Sequence, residues 1–259
     1  MKKNINLKNR FIIVGDVGNS DVIICILKKK YQIKKKIIFK NNLIDKKYLK
    51  QKLKIINKYN GKVEKILFSS VVPKTYKFIK SFLEKKLFVK CKELKSINLK
   101  TLLKIKVNKK QVGSDRIANA IAVYKKNKNF IVIDFGTATT LDVITHNIYL
   151  GGVIAPGVKL SLETLISRAT LIPKVNLSKI KKVIGNNTKN AVKSGFYWGY
   201  SGLIISMIKL IIKQTSKSFD IILTGDLAHL YKDTLNRKVK IDKDLTIKGL
   251  IKVLRNNEK

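Results

Sequence analysis

The apolar positions of this chain form short runs separated by turn residues. Three runs near the N-terminus, Phe11–Val14, Val22–Leu27 and Ile33–Phe39, predict a hairpin or a three-stranded meander. A fourth run, Phe130–Ile133, predicts another buried strand. The first and fourth runs are each followed by an aspartate and a glycine turn, so one strand-turn phrase occurs twice.

Elsewhere the pattern alternates between helical spacing and single strands. We predict helices at Lys46–Tyr59, Thr75–Lys86, Ser114–Tyr124, Val158–Ala169 and Ala191–Thr215, strands at Lys65–Ser70 and Asp220–Leu223, and a loop at 151–157. This alternation predicts an α/β fold. Because 259 residues can hold two cores and the strand-turn phrase is duplicated, we expect two domains, 1–110 and 111–259.

The repeated phrase carries groups that suit phosphate binding. Its copies are Asp16-Val17-Gly18-Asn19-Ser20 and Asp134-Phe135-Gly136-Thr137-Ala138-Thr139-Thr140. Glycine lets the backbone turn closely beneath a ligand, and amide and hydroxyl groups can donate to phosphates. The two carboxylates suit a cation that bridges phosphate oxygens. An ordinary Asp-Gly turn explains either copy alone, but the pair favours an ATP-dependent phosphotransferase.

The formal net charge of +40 changes this interpretation little. Only five of the 56 basic residues are arginine, and the bias towards Lys, Ile and Asn is typical of AT-rich coding sequence. Residues 111–173, which are the richest in motifs, hold six basic residues against four acids. Aromatic residues are not interleaved with the lysines as in single-strand binders, so we do not expect nucleic-acid binding.

Other features point to a soluble protein of the cytoplasm. Cys25 and Cys91 have neither metal-ligand spacing nor neighbouring histidines, so we expect ordinary thiols in a reducing compartment. Asp16 and Asp21 interrupt the N-terminal apolar stretch, unlike a signal peptide. The apolar segment Leu203–Ile212 is too short to span a bilayer.

Further polar clusters precede predicted helices. In Gly113-Ser114-Asp115-Arg116, Ser114 or Asp115 can simply cap the helix. Alternatively, Asp115 accepts a proton from a substrate hydroxyl while Arg116 binds a carboxylate or phosphate. Gly185–Thr188 and Thr224–Asp226 leave the same choice between a plain turn and a binding loop.

Eight motifs together resemble the type III pantothenate kinase family. In chain order they lie at 16–20, 69–73 (Ser-Ser-Val-Val-Pro), 113–116, 134–140, 151–157 (Gly-Gly-Val-Ile-Ala-Pro-Gly), 171–173 (Leu-Ile-Pro), 184–188 (Ile-Gly-Asn-Asn-Thr) and 224–226. Each motif alone is weak, but their order and spacing over nearly the whole chain are those of the family. The resemblance implies two ribonuclease-H-like domains of the actin and hexokinase superfamily.

The resemblance also implies a reaction and its site. It implies ATP-dependent phosphorylation of pantothenate to 4′-phosphopantothenate, the first step of coenzyme A synthesis, with Mg²⁺, a monovalent cation (K⁺ or NH₄⁺) and a homodimer. It assigns ATP to Asp16, Val17, Gly18, Asn19, Ser20, Asp21, Val22, Ile23 and Thr137, and the monovalent cation to Asp134. It assigns pantothenate to Gly113, Ser114, Asp115, Arg116 and Thr188, with Asp115 as proton acceptor and the pocket at the dimer interface.

Three positions depart from the family pattern. Lys106 stands where a substrate-contacting tyrosine is usual, Asp226 where a second glycine is usual, and Ser20 where threonine is commoner. Two alternatives remain open at this stage. One is an accessory transcriptional regulator, a role also described in this family, and the other is a kinase of another small alcohol.

Overall fold

The computed structural model describes residues 10–41 and 45–256. The strands are β1 (Phe11–Val17), β2 (Asp21–Leu27), β3 (Ile33–Lys40), β4 (Val63–Ser70), β5 (Cys91–Glu93), β6 (Lys104–Ile105), β7 (Asn129–Phe135), β8 (Ala138–Thr145), β9 (Ile148–Pro156), β10 (Asp220–Gly225) and β11 (Val239–Ile241). The α-helices are α1 (Lys46–Lys52), α2 (Pro73–Leu87), α3 (Ser114–Val123), α4 (Val158–Arg168), α5 (Thr188–Thr215), α6 (Ala228–Tyr231) and α7 (Leu245–Asn256).

The described chain forms two compact units. The first comprises the residues up to Lys104, Asn108–Val123 and the segment from Leu245, and the second comprises Ile105–Val107 and Tyr124–Asp244. This division differs from the predicted boundary at residue 110, because α3 and α7 pack against each other and against β4. The Gly113–Arg116 segment therefore belongs to the first unit, whereas the prediction placed it in the C-terminal domain.

The two units repeat one sheet topology. The strand order is β3-β2-β1-β4-β5 in the first sheet and β11-β10-β7-β8-β9-β6 in the second. In each sheet, the first three strands of the unit form an antiparallel meander, and the first strand pairs in parallel with a later strand, β4 or β10. The order 3-2-1-4-5 thus occurs twice, with β6 added at one edge. This confirms the predicted duplicated, ribonuclease-H-like α/β fold.

The apolar runs of the meanders supply the cores. In the first unit, alternate residues of β1 and β2 join the buried side chains of α2, namely Ile79, Leu83 and Leu87. Helix α2 begins with Pro73, whose missing N–H needs no partner there, and ends at Phe88, which adopts a left-handed conformation. Cys25 and Cys91 are buried thiols that do not form a disulfide, as the sequence predicts.

Helix α5 closes the core of the second unit. It spans 28 residues, Thr188–Thr215, so it is longer than the predicted helix and much longer than the apolar segment judged too short for a membrane. By length and composition it is the one helix in the described part of the chain that is able to cross a bilayer. Its buried residues Tyr197, Ile204 and Ile208 pack into the core of the unit, and core helices of soluble proteins pass the same test.

Two predicted elements are wrong in detail. The helix predicted at 46–59 ends at Lys52 and continues as a 3₁₀ segment, Lys54–Tyr59, so that Ile56 and Tyr59 become buried. The segment 151–157, predicted as a loop from its glycines and proline, is mostly the second half of β9. Its Gly152 lies opposite Asp142 of β8. A glycine in a strand marks a close approach there rather than the end of the strand.

Candidate functional site

Asp16 lies at the penultimate position of β1. Its neighbours across the sheet are Ile23 on β2 and Ser69 on β4. Ser69 is fully buried, and its hydroxyl has no hydrogen-bond partner among the described residues. A buried hydroxyl without a partner is rare in folded proteins and suits a bound water or ligand. The end of β1 therefore offers a half-buried carboxylate with a hydroxyl beside it.

Asp134 occupies the corresponding position of β7. Its neighbours are Thr140 on β8 and Thr224 on β10, so three oxygen-bearing side chains form one row across the sheet. Both threonines are buried, and Asp134 is half-buried. Hard cations prefer such oxygen donors. The described residues contain no cluster of three or more His, Cys, Asp or Glu side chains that could hold a metal ion.

The turn after Asp16 is a tight hairpin tip. The Gly18 N–H donates to the Asp21 carbonyl at 3.0 Å, and Asn19 and Ser20 at the tip are exposed. Lys40 on β3 pairs with the Asp21 carboxylate at 3.0 Å. The structure thus places the whole predicted segment, from Asp16 to Ile23, on one hairpin whose tip, Asn19 and Ser20, is exposed.

The Gly113–Arg116 motif starts helix α3. Ser114 is buried and donates its hydroxyl to the Glu93 carboxylate, which fixes the first turn. The Arg116 N–H donates to Asp115 Oδ1 at 2.7 Å. A Cβ atom at position 113 would overlap the Asp115 carboxylate and come within 3.2 Å of Val71. The absent side chain at Gly113 therefore leaves room for the Asp115 carboxylate, which a larger residue would displace.

The environment of Asp115 changes its acidity. Desolvation raises the pKa of the Asp115 carboxyl above its ordinary value, while the Arg116 N–H and guanidinium act in the opposite direction. A raised pKa makes a carboxylate a stronger proton acceptor, which is what a general base requires. The bond from the Arg116 N–H also satisfies a backbone donor of the first turn, so Asp115 has the capping role that the sequence predicts as well.

The second glycine turn is packed against the start of α4. Thr137 and Gly136 are exposed at the β7–β8 turn, and the Gly157 N–H donates to the Thr137 carbonyl at 3.1 Å. A Cβ atom at position 157 would overlap that carbonyl and lie 2.6 Å from the Gly136 oxygen. The absent side chain at Gly157 thus permits the close approach that holds the Thr137 backbone.

A buried carboxylate lies on β8, two residues after Thr140. Asp142 on β8 is fully buried and accepts a hydrogen bond of 2.6 Å from the Tyr149 hydroxyl. The Thr140 hydroxyl lies 3.4 Å from the other carboxylate oxygen. Buried charges need such partners, because desolvation of an ion is costly. Asp142 is therefore linked by a hydrogen bond to Thr140, which lies next to Asp134 across the sheet.

Thr188 opens helix α5 beside an apolar cavity. Asn187 caps the helix by accepting from the Asn190 N–H at 2.9 Å. A Cβ atom at Gly185 would overlap the Ala191 N–H group, so the turn lies directly on the helix. The cavity has a volume of about 440 Å³ and is lined by Leu165, Ile172, Thr188, Ala191, Val192, Gly195, Phe196 and Tyr200.

The remaining predicted positions are less distinctive. Lys106 is exposed and belongs to the second unit, where its N–H donates to the Tyr149 carbonyl at 3.1 Å. Gly225 has a φ of 85°, so the turn after β10 requires a left-handed residue there. The departing residue, Asp226, pairs with Lys159 at 3.1 Å on the surface.

The predicted residues therefore fall into two sets. The first unit brings the Asp16–Ile23 hairpin and the Gly113–Arg116 motif into one sheet-and-helix framework. The second unit holds Asp134, Thr137, Lys106 and Thr188. The donors on both strand ends are oxygen atoms and amides, which fits phosphate groups and hard cations.

Comparison with known proteins decides the family. The family model described as type III pantothenate kinase matches residues 12–210. A curated protein of Pelagibacter ubique named type III pantothenate kinase is 52% identical over 241 residues, covering 93% of this chain and 97% of the relative. The chain belongs to the type III pantothenate kinase family. The motifs at 16–20, 113–116 and 134–140 all lie within the residues that match the model of this kinase family.

Solved structures support the fold of this pantothenate kinase family member. A protein of Campylobacter jejuni assigned to the Baf family of transcriptional activators has a TM-score of 0.58 at 20% identity, covering 95% of this chain and 98% of that one. An activator of 2-hydroxyisocaproyl-CoA dehydratase from Clostridium difficile has a TM-score of 0.52 at 8% identity, covering 96% and 98%. At such identities the likeness shows the ATPase fold alone, and it does not favour the regulator alternative.

Some residues at the candidate site are not marked by any pattern in the sequence. Ser69 was noted as part of a motif but not as the neighbour of Asp16. Asp142 lies only two residues beyond the second glycine motif, yet nothing in the pattern distinguishes it from a surface acid. Asn41 and Thr75, which contact the first hairpin, carry no motif at all. Strand β8 is buried on both faces, so alternation along the strand does not distinguish Asp142 either.

Proposed function

We propose that this chain transfers the γ-phosphoryl group of ATP to the primary hydroxyl of pantothenate, giving 4′-phosphopantothenate in coenzyme A biosynthesis. This is the reaction of the family to which it belongs. The observation that carries the proposal is the start of α3, where the Arg116 N–H donates to the Asp115 carboxylate at 2.7 Å, burial raises the pKa of that carboxyl, and Gly113 leaves room for it.

Asp115 acts as the general base. The pantothenate hydroxyl oxygen forms a bond to the γ-phosphorus, the bond from that phosphorus to the ADP oxygen breaks, and the hydroxyl proton passes to Asp115. Arg116 binds the substrate carboxylate or the transferring phosphoryl group, since a guanidinium matches either in bidentate geometry. Gly113 and Ser114 shape this side of the pocket. Catalysis of phosphoryl transfer depends mainly on such positioning and charge stabilisation.

The two strand ends bind the ATP and its ions. The Asp16–Ile23 hairpin and Thr137 contact the phosphates through backbone amides and hydroxyls. Mg²⁺ neutralises phosphate charge. Asp134 holds a monovalent cation, K⁺ or NH₄⁺, and the flanking Thr140 and Thr224 oxygens support this choice, because they add neutral donors to one carboxylate.

The protein acts as a cytoplasmic homodimer. Most of the large apolar side chains that are exposed in the described residues belong to the second unit, including Ile154, Leu171, Val183, Ile184 and Leu210. One of the exposed residues, Leu165, also lines the apolar cavity beside Thr188. A second copy of this chain covers that cavity, which then becomes part of an enclosed pantothenate pocket.

Release of ADP tests the reaction. Purified protein is supplied with ATP and Mg²⁺, with and without pantothenate, in buffers that contain K⁺, NH₄⁺ or Na⁺. We expect ADP release that requires pantothenate and is supported by K⁺ and NH₄⁺ but not by Na⁺. No ADP release under any condition would contradict the proposed reaction, and equal rates in all three buffers would contradict the cation assignment alone.

A further inference from the structure

The tip of the first hairpin comprises residues 18–20, between β1 and β2. Within the hairpin, the Gly18 N–H donates to the Asp21 carbonyl at 3.0 Å. Exposed hairpin tips are usually mobile. A loop that presents amides to phosphates must nevertheless keep a fixed geometry, because misplacement weakens every contact.

Asn41, directly after β3, ties both sides of this tip. Its side-chain Nδ2 donates to the Gly18 carbonyl at 2.7 Å, and its backbone N–H donates to the Ser20 carbonyl at 2.9 Å. The peptide bond between Gly18 and Asn19 is trans, so the N–H of Asn19 points away from a carbonyl that faces Asn41. Asn41 thereby directs the Asn19 amide towards the exposed side of the turn.

Thr75 fixes the orientation of Asn41. Its hydroxyl donates to Asn41 Oδ1 at 2.7 Å. A carbonyl oxygen can only accept, so this bond leaves the amide NH₂ group to face Gly18. Thr75 lies in the first turn of α2, whose buried residues anchor the helix in the core of the first unit. The hairpin tip is thus connected through two side chains to a rigid element.

We propose that Asn41 and Thr75 form a clamp of two positioning residues that holds the Gly18–Ser20 turn in its phosphate-binding geometry. The inference rests on the proposed function, because it takes this turn to be the ATP phosphate loop. Neither side chain is assigned to contact the nucleotide. Their effect is to fix the turn before ATP arrives, so that binding does not have to order it.

The test compares Thr75→Val with Thr75→Ser. Valine keeps the shape of threonine but removes the hydroxyl, whereas serine keeps it. Thr215→Val is the matched control, since the Thr215 hydroxyl also donates at 2.7 Å, to Ile211 in the second unit. The readouts are the Kd for ATP by calorimetry, amide hydrogen exchange at Gly18 and position 41 in the ligand-free protein, and KM for pantothenate.

We expect Thr75→Val to bind ATP about two- to tenfold more weakly, the effect of one lost neutral hydrogen bond. Exchange at Gly18 and position 41, whose N–H groups donate to the Asp21 and Ser20 carbonyls, should become faster, while KM for pantothenate stays the same. Asn41→Ala, which loses both side-chain bonds, should have the larger effect. Thr75→Ser and Thr215→Val should resemble the wild type.

Unchanged ATP affinity and unchanged exchange in both Thr75→Val and Asn41→Ala would overturn the clamp. So would an equal loss of affinity in the serine and valine variants, since the hydroxyl would then be irrelevant. Faster exchange in Thr75→Val, combined with no ATP binding by the wild type, would support the clamp and count against the proposed function. The two failures are therefore distinguishable.

Discussion

Replacing Asp115 by asparagine separates the charge of this residue from its shape. Asparagine has nearly the same size, and its Oδ1 can still accept the Arg116 N–H that Asp115 accepts at 2.7 Å. The start of α3 should therefore keep its structure, with Ser114 still bonded to Glu93. Only the ability to take a proton is lost.

The expected loss of turnover is large. A positioned general base contributes about 10²- to 10⁴-fold to a reaction rate, which corresponds to roughly 2.7–5.4 kcal/mol of barrier at 1.36 kcal/mol per tenfold. The loss should appear in kcat. The Kd for ATP should stay within about twofold of the wild type, because the proposed nucleotide loop lies on the β1–β2 hairpin. Screening by salt weakens the effect of a charge at position 115 on a ligand that it does not contact.

Stability should change in the opposite direction. Because desolvation raises the pKa of Asp115 in the folded state, the folded protein binds this proton more tightly than the unfolded chain does. The contribution of the carboxyl to stability is thus complete below its unfolded pKa and is lost as the pH rises through the folded pKa. At neutral pH the neutral asparagine should therefore be at least as stable as the wild-type aspartate.

The assays are ADP release for kcat, calorimetry for ATP and thermal unfolding at pH 5 and pH 7. In the wild type, kcat/KM should fall as the pH drops through the raised pKa, because the protonated base is inactive. Asp220→Asn is the control, since Asp220 is an exposed aspartate paired with Lys128. Wild-type turnover in Asp115→Asn would refute the assignment of the base, and a marked loss of stability at pH 7 would refute the argument from desolvation.

Three further variants test the packing. In Gly249→Ala the new Cβ atom overlaps the Ala118 backbone where α7 crosses α3, so unfolding in urea should show a loss of about 1–3 kcal/mol; Gly202→Ala, with open space around it, should instead gain about 0.5–1 kcal/mol. Tyr149→Phe removes the hydrogen bond to the buried Asp142 and should cost about 1.5–3 kcal/mol by the same measurement. Equal stabilities of the two glycine variants, or a neutral Tyr149→Phe, would contradict these contacts.

The elements that the sequence predicts well are those with strong local signals. The run Phe11–Val14 and the glycine turn after Asp16 predict a strand and its end, because a buried strand must be apolar and a tight turn must tolerate glycine. The start of α3 at Ser114 also agrees with the prediction, because the apolar residues that follow it have helical spacing. Local chemistry decides these positions before any tertiary contact forms.

Other features depend on contacts between distant parts of the chain. Helix α7 packs on α3 through Gly249 and Ala118, and this contact assigns residues 111–123 to the first unit. The residue pattern within either helix does not show which helix it packs against. The bond between Asn41 and Thr75 joins residues 34 positions apart, so no local spacing reveals it. Likewise, the sequence around Gly152 predicts a loop, and only its pairing with Asp142 on β8 shows that it lies in a strand.

The duplicated fold does not make the two strand-end aspartates equivalent. In the first unit, the row across the sheet at Asp16 has an apolar residue, Ile23, on one side and a buried serine on the other. In the second unit, Asp134 has a threonine on each side. A cation that is held by one carboxylate and neutral oxygens suits the second row better, because more donors can replace its hydration shell. The first row leaves Asp16 with a single hydroxyl neighbour beside a clamped turn of amides, which suits phosphate oxygens and the hydrated Mg²⁺ that accompanies them. The topology repeats a position for an aspartate, and the neighbouring strands determine which kind of ligand each position suits.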